Sequence, residues 1–230
     1  GDGMKTFKAL GALLLYPSEE LRGSLAEISE AIEKEALIGA PERAFIHILI
    51  QRLTTGDIYE LQEDYTGLFD RARSVSLHLY EHVHGEARER GQAMVRLQTV
   101  YKLHGFSHVS SELPDFLPLF CEFLSVIPEH AARSLLGDAV TIVEAVRERL
   151  ERRQSPYAAV FASLVSIAAE RVDPVLLVEI SKGAMDDEEG LEALDAAWME
   201  APVTFSGDPG LGACGSPGRA VKTQSETGAH

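Results

Sequence analysis

The sequence predicts an all-α protein, a single helical domain of about ten helices. Apolar residues recur at helical spacing along most of the chain, and helix-start signals precede several of these stretches. Strand-like alternation is confined to one run near residues 74–84. With 230 residues, 45% hydrophobic and 25% charged, the composition is that of an ordinary globular protein with one sizeable core.

Three helices are marked in the first half. Ser18 is the expected N-cap of "SEELRGSLAEISEAIEKEAL", whose first turn carries two glutamates. Pro41 suits the first helical position of "PERAFIHILIQRL". Asp57 precedes "IYELQEDYTGLF", and Glu60 follows three residues later, which is a capping-box pattern.

The second half contains further helices. One follows Gly85, and because glycine costs about 1 kcal/mol inside a helix, Gly91 is expected to lie against another backbone. Pro118 lacks an N–H group and must lie in the first turn of "FLPLFCEFLSVI", so the helix is expected to begin at Asp115 or later, with Asp115 as its cap. Apolar stripes predict more helices over residues 136–150 and 157–168, with weaker ones in "PVLLVEIS" and "DEEGLEALDAAWME". Ser155 and Asp173 each precede a proline, which is typical of an N-cap.

The alternating run "SVSLHLYEHVH" leaves three possibilities open: a metal site, an edge strand, or a segment kept irregular for binding. On an extended chain His78, His82 and His84 share one face and could bind zinc, with Glu81 or Glu86 as a base. A zinc-binding strand needs neighbouring strands, and the sequence predicts none. We therefore expect these polar groups to line a surface or groove, with no metal bound.

The charge and cysteine content narrow the function. The net charge of −15 repels nucleic acid and anionic lipid and favours cationic partners. Cys121 and Cys214 form neither a disulfide framework nor a metal motif, which indicates a reducing cytosol. The apolar run "ALGALLLY" is too short to span a bilayer. Because no phosphate-binding loop or Gly-x-Ser-x-Gly motif occurs, we expect neither an enzyme nor a cofactor.

The composition also predicts a boundary. Residues 4–205 are expected to form the helical domain. Residues 206–230 are rich in glycine, proline and serine and hold few large apolar groups. We expect this tail to be disordered and dispensable for binding.

Two stretches carry a family resemblance: "YTGLFDRARSVSLHLYEHVHGEARERGQAM" and, further on, "ELPDFLPLFCEFLSVIP". They closely resemble the NarJ-type nitrate reductase assembly chaperones, also called the delta subunit, within a wider group of helical chaperones that serve molybdoenzymes. The similarity runs from about Leu13 to Trp198 and is densest between Tyr65 and Pro128. It implies a cytoplasmic, all-α chaperone that binds the N-terminal segment of the apo catalytic subunit of respiratory nitrate reductase. Such a chaperone assists insertion of the molybdenum cofactor and an iron–sulfur cluster before the enzyme docks at the membrane.

The resemblance has one departure. The wider group often carries Glu-Pro-x-Asp-His before the later helix, whereas this chain has Glu112, Leu113, Pro114, Asp115 and Phe116. The glutamate and aspartate remain, the proline has moved, and phenylalanine replaces histidine. This weighs against nucleotide binding.

The resemblance also implies where the client binds. Residues 71–85 would form an irregular extended crossing between two helical halves, with its apolar side inward and its polar side facing a peptide groove. The groove would receive an amphipathic helix against an apolar wall of Tyr65, Leu68, Phe69, Leu77, Tyr80 and Phe116. Its acidic rim would be Glu81, Glu86, Glu112 and Glu122, and the remaining contacts would be His82, His84, Arg88 and Asp115. We expect His82 and His84 to titrate near neutrality, and a monomer is favoured.

Two alternatives remain open. One is a zinc-dependent hydrolase that uses His78, His82 and His84. The other is a helical adaptor that has a different client.

Overall fold

The computed structural model describes residues 4–83, 87–107 and 111–183. Within these ranges the chain forms nine α-helices and no strand, as predicted. They are α1 (Lys5–Leu13), α2 (Glu19–Glu35), α3 (Ala40–Thr55), α4 (Ile58–Tyr65), α5 (Ala87–Leu103), α6 (Leu117–Val126), α7 (Glu129–Arg152), α8 (Ala158–Ile167) and α9 (174–183). None of these helices has the length and apolarity needed to cross a membrane.

Capping side chains begin the helices largely where the sequence places them. The Ser18 hydroxyl accepts the Leu21 amide at 3.1 Å. One carboxylate oxygen of Asp57 accepts two amides of the first turn of α4, at 2.9 and 3.2 Å. Asp173 does the same at the start of α9. Pro41 is the second residue of α3 and not the first, because the helix already begins at Ala40.

The core is built around α1. Helix α1 packs against α6, α2 and α8, while α7 packs along α8 and α3 contacts α2 and α8. The predicted stripe on α7 is entirely buried: Leu136, Val140, Val143, Val146 and Leu150. Helices α1 and α6 approach most closely at Gly11, where an added Cβ would lie 2.8 Å from Cβ of Cys121 and 3.0 Å from the Pro118 carbonyl oxygen.

The expectation for Gly91 is wrong. Gly91 lies on the exposed side of α5, and an added Cβ would meet no atom within 4 Å. Helix α5 buries Ala93, Leu97 and Tyr101 instead. The apolar face is therefore rotated away from Gly91, whose conformational cost is not offset by a close packing contact.

The crossing, as the name is used from here on, is the described part of the link between α4 and α5, residues 66–83, and it consists of short turns. A π-helical turn covers Thr66–Asp70, and 3-10 turns cover Arg73–Val75 and Leu79–His82. One isolated antiparallel bridge joins His78 to Phe116. This agrees with a segment of short turns that is not a strand of a sheet, and Val75, Leu77 and Leu79 point inward as predicted.

The described residues all belong to one compact unit. Several sequence predictions fall outside them: those for His84 and Glu86, the helix in "DEEGLEALDAAWME", and the tail from residue 206.

Candidate functional site

Asp115 fastens the crossing to the start of α6. Its side chain is 0% exposed. One carboxylate oxygen accepts the Tyr80 amide at 3.0 Å, and the other lies 3.3 Å from Nδ1 of His78. The backbone adds two hydrogen bonds, from the Leu79 amide to the Asp115 carbonyl at 3.1 Å and from the Leu117 amide to the Leu77 carbonyl at 2.8 Å.

Asp115 is therefore not the cap of α6, which corrects the sequence prediction. The N-cap position is Phe116, no side chain caps this end, and Pro118 is the second residue of the helix. The carboxylate is directed into the crossing, where it accepts the partly buried amide of Tyr80. The weaker form of the prediction, a helix that begins at Asp115 or later, agrees with the structure.

The two described histidines of the alternating run have different electrostatic environments. The hydrogen bond to Asp115 raises the pKa of His78 despite partial burial. Burial lowers the pKa of His82 to about 4, with a further contribution from the charge of Arg149. Nε2–H of His82 donates to the Ser76 carbonyl at 2.9 Å, and Nδ1 accepts from the Arg149 guanidinium at 3.2 Å. His82 is therefore neutral near pH 7, and the expectation that it titrates near neutrality is wrong.

Arg149 joins three parts of the fold. Its side chain on α7 is 3% exposed. Besides the contact with His82, Nη1 donates to the Ser74 carbonyl at 2.7 Å, and Nη2 donates to the Ile180 carbonyl on α9 at 2.7 Å. Among the described residues, no group of three or more His, Cys, Asp or Glu side chains is arranged to hold a metal ion.

Tyr65 and Phe69 form an aromatic stack beneath the surface. The Tyr65 hydroxyl donates to the Leu14 carbonyl at 2.7 Å, and burial raises its pKa. Its ring lies 4.9 Å from Phe69 and 6.0 Å from Tyr157, and it meets Tyr16 edge-on at 5.6 Å. Because Tyr65 and Phe69 are buried, they offer little surface to a ligand, and Tyr65 contacts the exposed ring of Tyr16 from the inner side.

A cleft of about 310 Å³ lies between α1 and α6. Three of the predicted site residues line it: Glu112, Phe116 and Glu122. Its floor is mostly apolar, with Leu15 and Leu119, and Lys8 stands on the α1 side. We call it the α1/α6 cleft.

A larger cleft of about 950 Å³ lies between α1 and α2 and contains none of the predicted site residues. We call it the α1/α2 cleft. It shares Lys8, Ala12 and Leu15 with the α1/α6 cleft, so the two adjoin along the exposed side of α1. Its other lining residues are Lys5, Ala9, Tyr16, Ser18, Glu20, Leu21, Ser24, Glu27, Ile28 and Ala31. The signal in the sequence that could have indicated it is the helical spacing i, i+3, i+4, i+7 of Lys5, Lys8, Ala9 and Ala12, which places small and cationic side chains on one face.

The remaining predicted site residues lie apart from both clefts. Leu77 and Asp115 are buried, and Leu68 lines a pocket of about 230 Å³ between α3, α4 and the loop after α7. Tyr80 is partly exposed in the crossing. Glu81 is paired with Arg90 at 3.0 Å, and Arg88 is exposed on α5.

These features define an all-α protein with two open, largely apolar clefts along one helix. A family model described as the nitrate reductase delta subunit matches residues 17–163. The chain belongs to this family. It is a chaperone and not an enzyme, because the family and its named relatives are assembly chaperones.

Three relatives illustrate the similarity. The chain is 41% identical over 201 residues to the nitrate reductase molybdenum cofactor assembly chaperone NarJ of Escherichia coli (strain K12), covering 87% of this chain and 84% of that protein. It is 34% identical over 215 residues to the probable chaperone NarW of the same strain, covering 93% and 89%. It is 33% identical over 187 residues to the probable chaperone NarJ of Bacillus subtilis (strain 168), covering 80% and 97%.

Proposed function

We propose that this chain is a cytoplasmic chaperone dedicated to a nitrate reductase, and that its client is the apo catalytic subunit. The observation that carries the proposal is the similarity, over most of both chains, to relatives named as nitrate reductase molybdenum cofactor assembly chaperones. The chaperone holds the N-terminal segment of the client while the molybdenum cofactor and an iron–sulfur cluster are inserted. It leaves before the enzyme docks at the membrane, and it acts as a monomer.

The client segment binds as an amphipathic helix on the exposed side of α1. Helix-in-groove recognition requires an apolar trough with polar edges, and the two adjoining clefts have this form. Glu112 and Glu122 supply negative charge on the α6 side for basic residues of the client. A single helix buries a small interface and loses conformational entropy on binding, so the expected dissociation constant is on the order of micromolar to tens of nanomolar.

The other predicted site residues have two roles in this proposal. The first role is direct contact with the client by side chains that keep some exposure. These are Leu68 in the pocket, Tyr80, Glu81 and His82 in the crossing, and Arg88 on α5. The buried side chains of Tyr65, Phe69, Leu77 and Asp115 position those that reach the surface. His84 and Glu86 remain proposed contacts from the sequence alone.

Co-purification tests the choice of client. The tagged chain is expressed with the nitrate reductase catalytic subunit, either complete or without its N-terminal segment. We expect the complete subunit to be retained and the truncated one to be lost. Equal retention of both would contradict N-terminal binding, and retention of neither would favour an adaptor with another client.

Calorimetry with a peptide of the client's N-terminal segment tests the surface. Glu122→Lys should weaken binding by about 0.5–1 kcal/mol, because it reverses a charge at the edge of the α1/α6 cleft. Glu63→Lys is the matched control, since Glu63 is exposed on α4 and lines neither cleft. Equal effects of the two variants would indicate only a general effect of net charge.

Tyr80→Ala tests the contribution of the crossing to the same binding. If Tyr80 is an aromatic anchor, its truncation should cost about 1–3 kcal/mol of binding. The circular dichroism and melting temperature of the variant show whether the fold is intact. A folded variant with unchanged affinity would confine the contact surface to the two clefts.

A further inference from the structure

We infer that the α1/α2 cleft fixes the direction of the bound helix, with the helix C-terminus at Lys5 and Lys8 and its N-terminus at Glu20. The inference rests on the proposed function in one respect, namely that a helical segment of the client binds on α1. It adds the position at which that helix binds, the direction in which it runs and the residues that determine this direction.

The α1/α2 cleft has the size and surface of a helix-binding groove. Its volume of about 950 Å³ is three times that of the α1/α6 cleft. The small side chains of Ala9, Ala12 and Ala31 line the cleft, so a helix about 10 Å in diameter can approach its backbone closely. At one end two large apolar side chains stand exposed, Leu15 at 43% and Tyr16 at 49%. The edge-on contact with the buried ring of Tyr65 restricts the orientation of the Tyr16 ring. Tyr16 is therefore a preorganised aromatic anchor.

The two ends of the cleft are defined because α1 and α2 run antiparallel. The Glu35 carboxylate, at the end of α2, accepts the amides of Lys5 and Thr6 at 2.6 and 2.7 Å and so adjoins the start of α1. A short link joins the end of α1 to Glu19, where α2 begins. Lys5 therefore marks one end of the cleft. Glu20, in the first turn of α2, marks the other end beside Tyr16.

The charges along the cleft are not neutralised from within the protein. Lys5, Lys8, Glu20 and Glu27 all line it and are exposed, and none of them forms an ion pair with another described residue. Other surface charges of the chain are paired, such as Arg147 with Glu144 and Arg43 with Glu33. The two lysines are one helical turn apart in a chain of net charge −15. Among the charged side chains that line the cleft, the two cations therefore lie on α1 toward the Lys5 end, and the two carboxylates lie on α2, at Glu20 and Glu27. The Glu35 carboxylate at the Lys5 end does not line the cleft and is bonded to the backbone amides of Lys5 and Thr6.

This charge distribution favours one direction of a bound helix. The C-terminus of a helix carries partial negative charge and is stabilised by cations, whereas its N-terminus is stabilised by carboxylates. A helix with its C-terminus at Lys5 and Lys8 and its N-terminus at Glu20 satisfies both ends. The reverse direction places like charges together at both ends. The bound helix therefore runs parallel to α2 and antiparallel to α1.

The preferred partner follows from the same residues. It is an amphipathic helix of about three turns with an apolar face, basic side chains along the edge that faces Glu20 and Glu27, and free carbonyl groups of its last turn at Lys5 and Lys8. Because Lys8 lines both clefts, the chain that follows the helix can pass over Lys8 into the α1/α6 cleft.

Charge reversal tests the role of the two lysines. In the double variant Lys5→Glu/Lys8→Glu, the client's N-terminal peptide should bind about three- to ten-fold more weakly at low salt, and the difference should shrink at high salt. The matched control is Lys34→Glu/Lys102→Glu, which makes the same change of net charge at exposed lysines outside both clefts. Equal losses in the two double variants would overturn the assignment of Lys5 and Lys8.

Disulfide trapping tests the direction. In a Cys214→Ser background the remaining cysteine, Cys121, is buried. Ser24→Cys and Ala31→Cys then place single thiols in the cleft about 10 Å apart along α2, the first nearer Glu20 and the second nearer Lys5. The client peptide carries a cysteine at either its N- or its C-terminal end. We expect the C-terminal cysteine to cross-link to Ala31→Cys, and the N-terminal one to Ser24→Cys, several-fold faster than in the exchanged pairs.

The outcomes separate the inference from the proposed function. Faster cross-linking in the exchanged pairs, or equal rates in all four, would overturn the direction. A peptide that binds in calorimetry but cross-links to neither position would contradict binding in the α1/α2 cleft. If the peptide does not bind the unmodified protein at all, the proposed function fails, and the cross-linking result is not needed to show it.

Discussion

At the scale of the residue, Asp115 shows how one carboxylate determines the path of a segment without regular structure. The crossing has no continuous hydrogen-bond ladder, so individual contacts hold it. Asp115 provides two of them, to the Tyr80 amide and to His78, and its backbone provides another. The wall of the α1/α6 cleft begins at the next residue, Phe116.

Asp115→Asn should therefore lower the free energy of unfolding by about 1–3 kcal/mol, because the side-chain amide keeps only one of the two acceptor oxygens that face the Tyr80 amide and His78. Urea denaturation measures the change. Glu112→Gln is the control, and as Glu112 is exposed we expect a change within about 0.5 kcal/mol. An unchanged midpoint for Asp115→Asn would show that the backbone contacts alone hold the crossing.

His78 should make the protein less stable as the pH rises above about 6.5. Its folded-state pKa is raised above the unfolded value, so the stabilisation is complete below the unfolded pKa and is lost as pH rises through the folded pKa. Unfolding free energies measured between pH 6 and 9 should decline in the parent protein and decline less in His78→Gln. The same slope in both proteins would contradict the contribution of this pair.

His82 should have the opposite effect on the pH dependence of stability, and over a lower pH range. Its folded-state pKa of about 4 lies below the unfolded value of 6.5, so the unfolded chain binds the additional proton and stability falls as pH decreases from 6.5 to 4. His82→Gln should reduce this acid-side loss. Client affinity should not change through His82 between pH 6 and 8, where the imidazole remains neutral.

Hydrogen bonds between neighbours in the chain could be predicted from the sequence, whereas those between distant residues could not. Ser18 and Asp57 were predicted as caps because a cap and its amides are neighbours in the chain. Asp115 has the same chemistry, but its partner Tyr80 is 35 residues away, and only the tertiary fold reveals it. The role of Arg149 depends on contacts 31 and 75 residues away and left no signal in the local pattern.

At the scale of the element, helix spacing was largely predictable and helix pairing was not. Periodicity and caps located α2, α3, α4, α7 and α9, because each depends on residues within a few turns. The pairing of α1 with both α2 and α6, which creates the two clefts, depends on side chains that are distant in sequence. Residues 9–16 predicted only an apolar run too short to span a bilayer, and Lys5 and Lys8 gave no prediction, so the larger cleft was not predicted. Glu112, Phe116 and Glu122 were placed in a groove through the family resemblance, and the structure brings these three together.

The spacing of α1 and α6 depends on Gly11. Gly11→Ala should destabilise the protein by about 1–3 kcal/mol, because the new methyl group would overlap Cβ of Cys121 and the Pro118 carbonyl. Gly23→Ala is the matched control within α2, where an added Cβ meets no atom within 4 Å, and it should stabilise by about 0.5–1 kcal/mol. Thermal and urea unfolding of both variants measure the contrast. Equal effects would show that α1 and α6 are not in close contact in solution.

At the scale of the whole molecule, Arg149 connects α7, the crossing and α9 from a buried position. Its loss should therefore affect regions that are distant in sequence at the same time. Arg149→Met should cost about 2–4 kcal/mol and should increase amide hydrogen exchange in both residues 73–82 and residues 174–183. Arg147→Met is the neighbouring control: Arg147 pairs on the surface of α7 with Glu144 and Glu151, so we expect a change of less than about 1 kcal/mol. Faster exchange in only one of the two regions would show that they open independently.

The close contact of Gly11 with Cys121 also limits which parts of the clefts can differ in sequence between homologous chaperones. The backbone spacing is set in the buried layer, where a change as small as one methyl group is costly. The side chains that a ligand would meet, such as Lys8, Leu15 and Glu122, are exposed and can be exchanged at little cost in stability. Mutations can thus alter the sign of charge and the shape of the binding surface while the scaffold beneath stays constant. Chaperones built on this fold could therefore acquire new clients by a few surface substitutions, without passing through unstable intermediates.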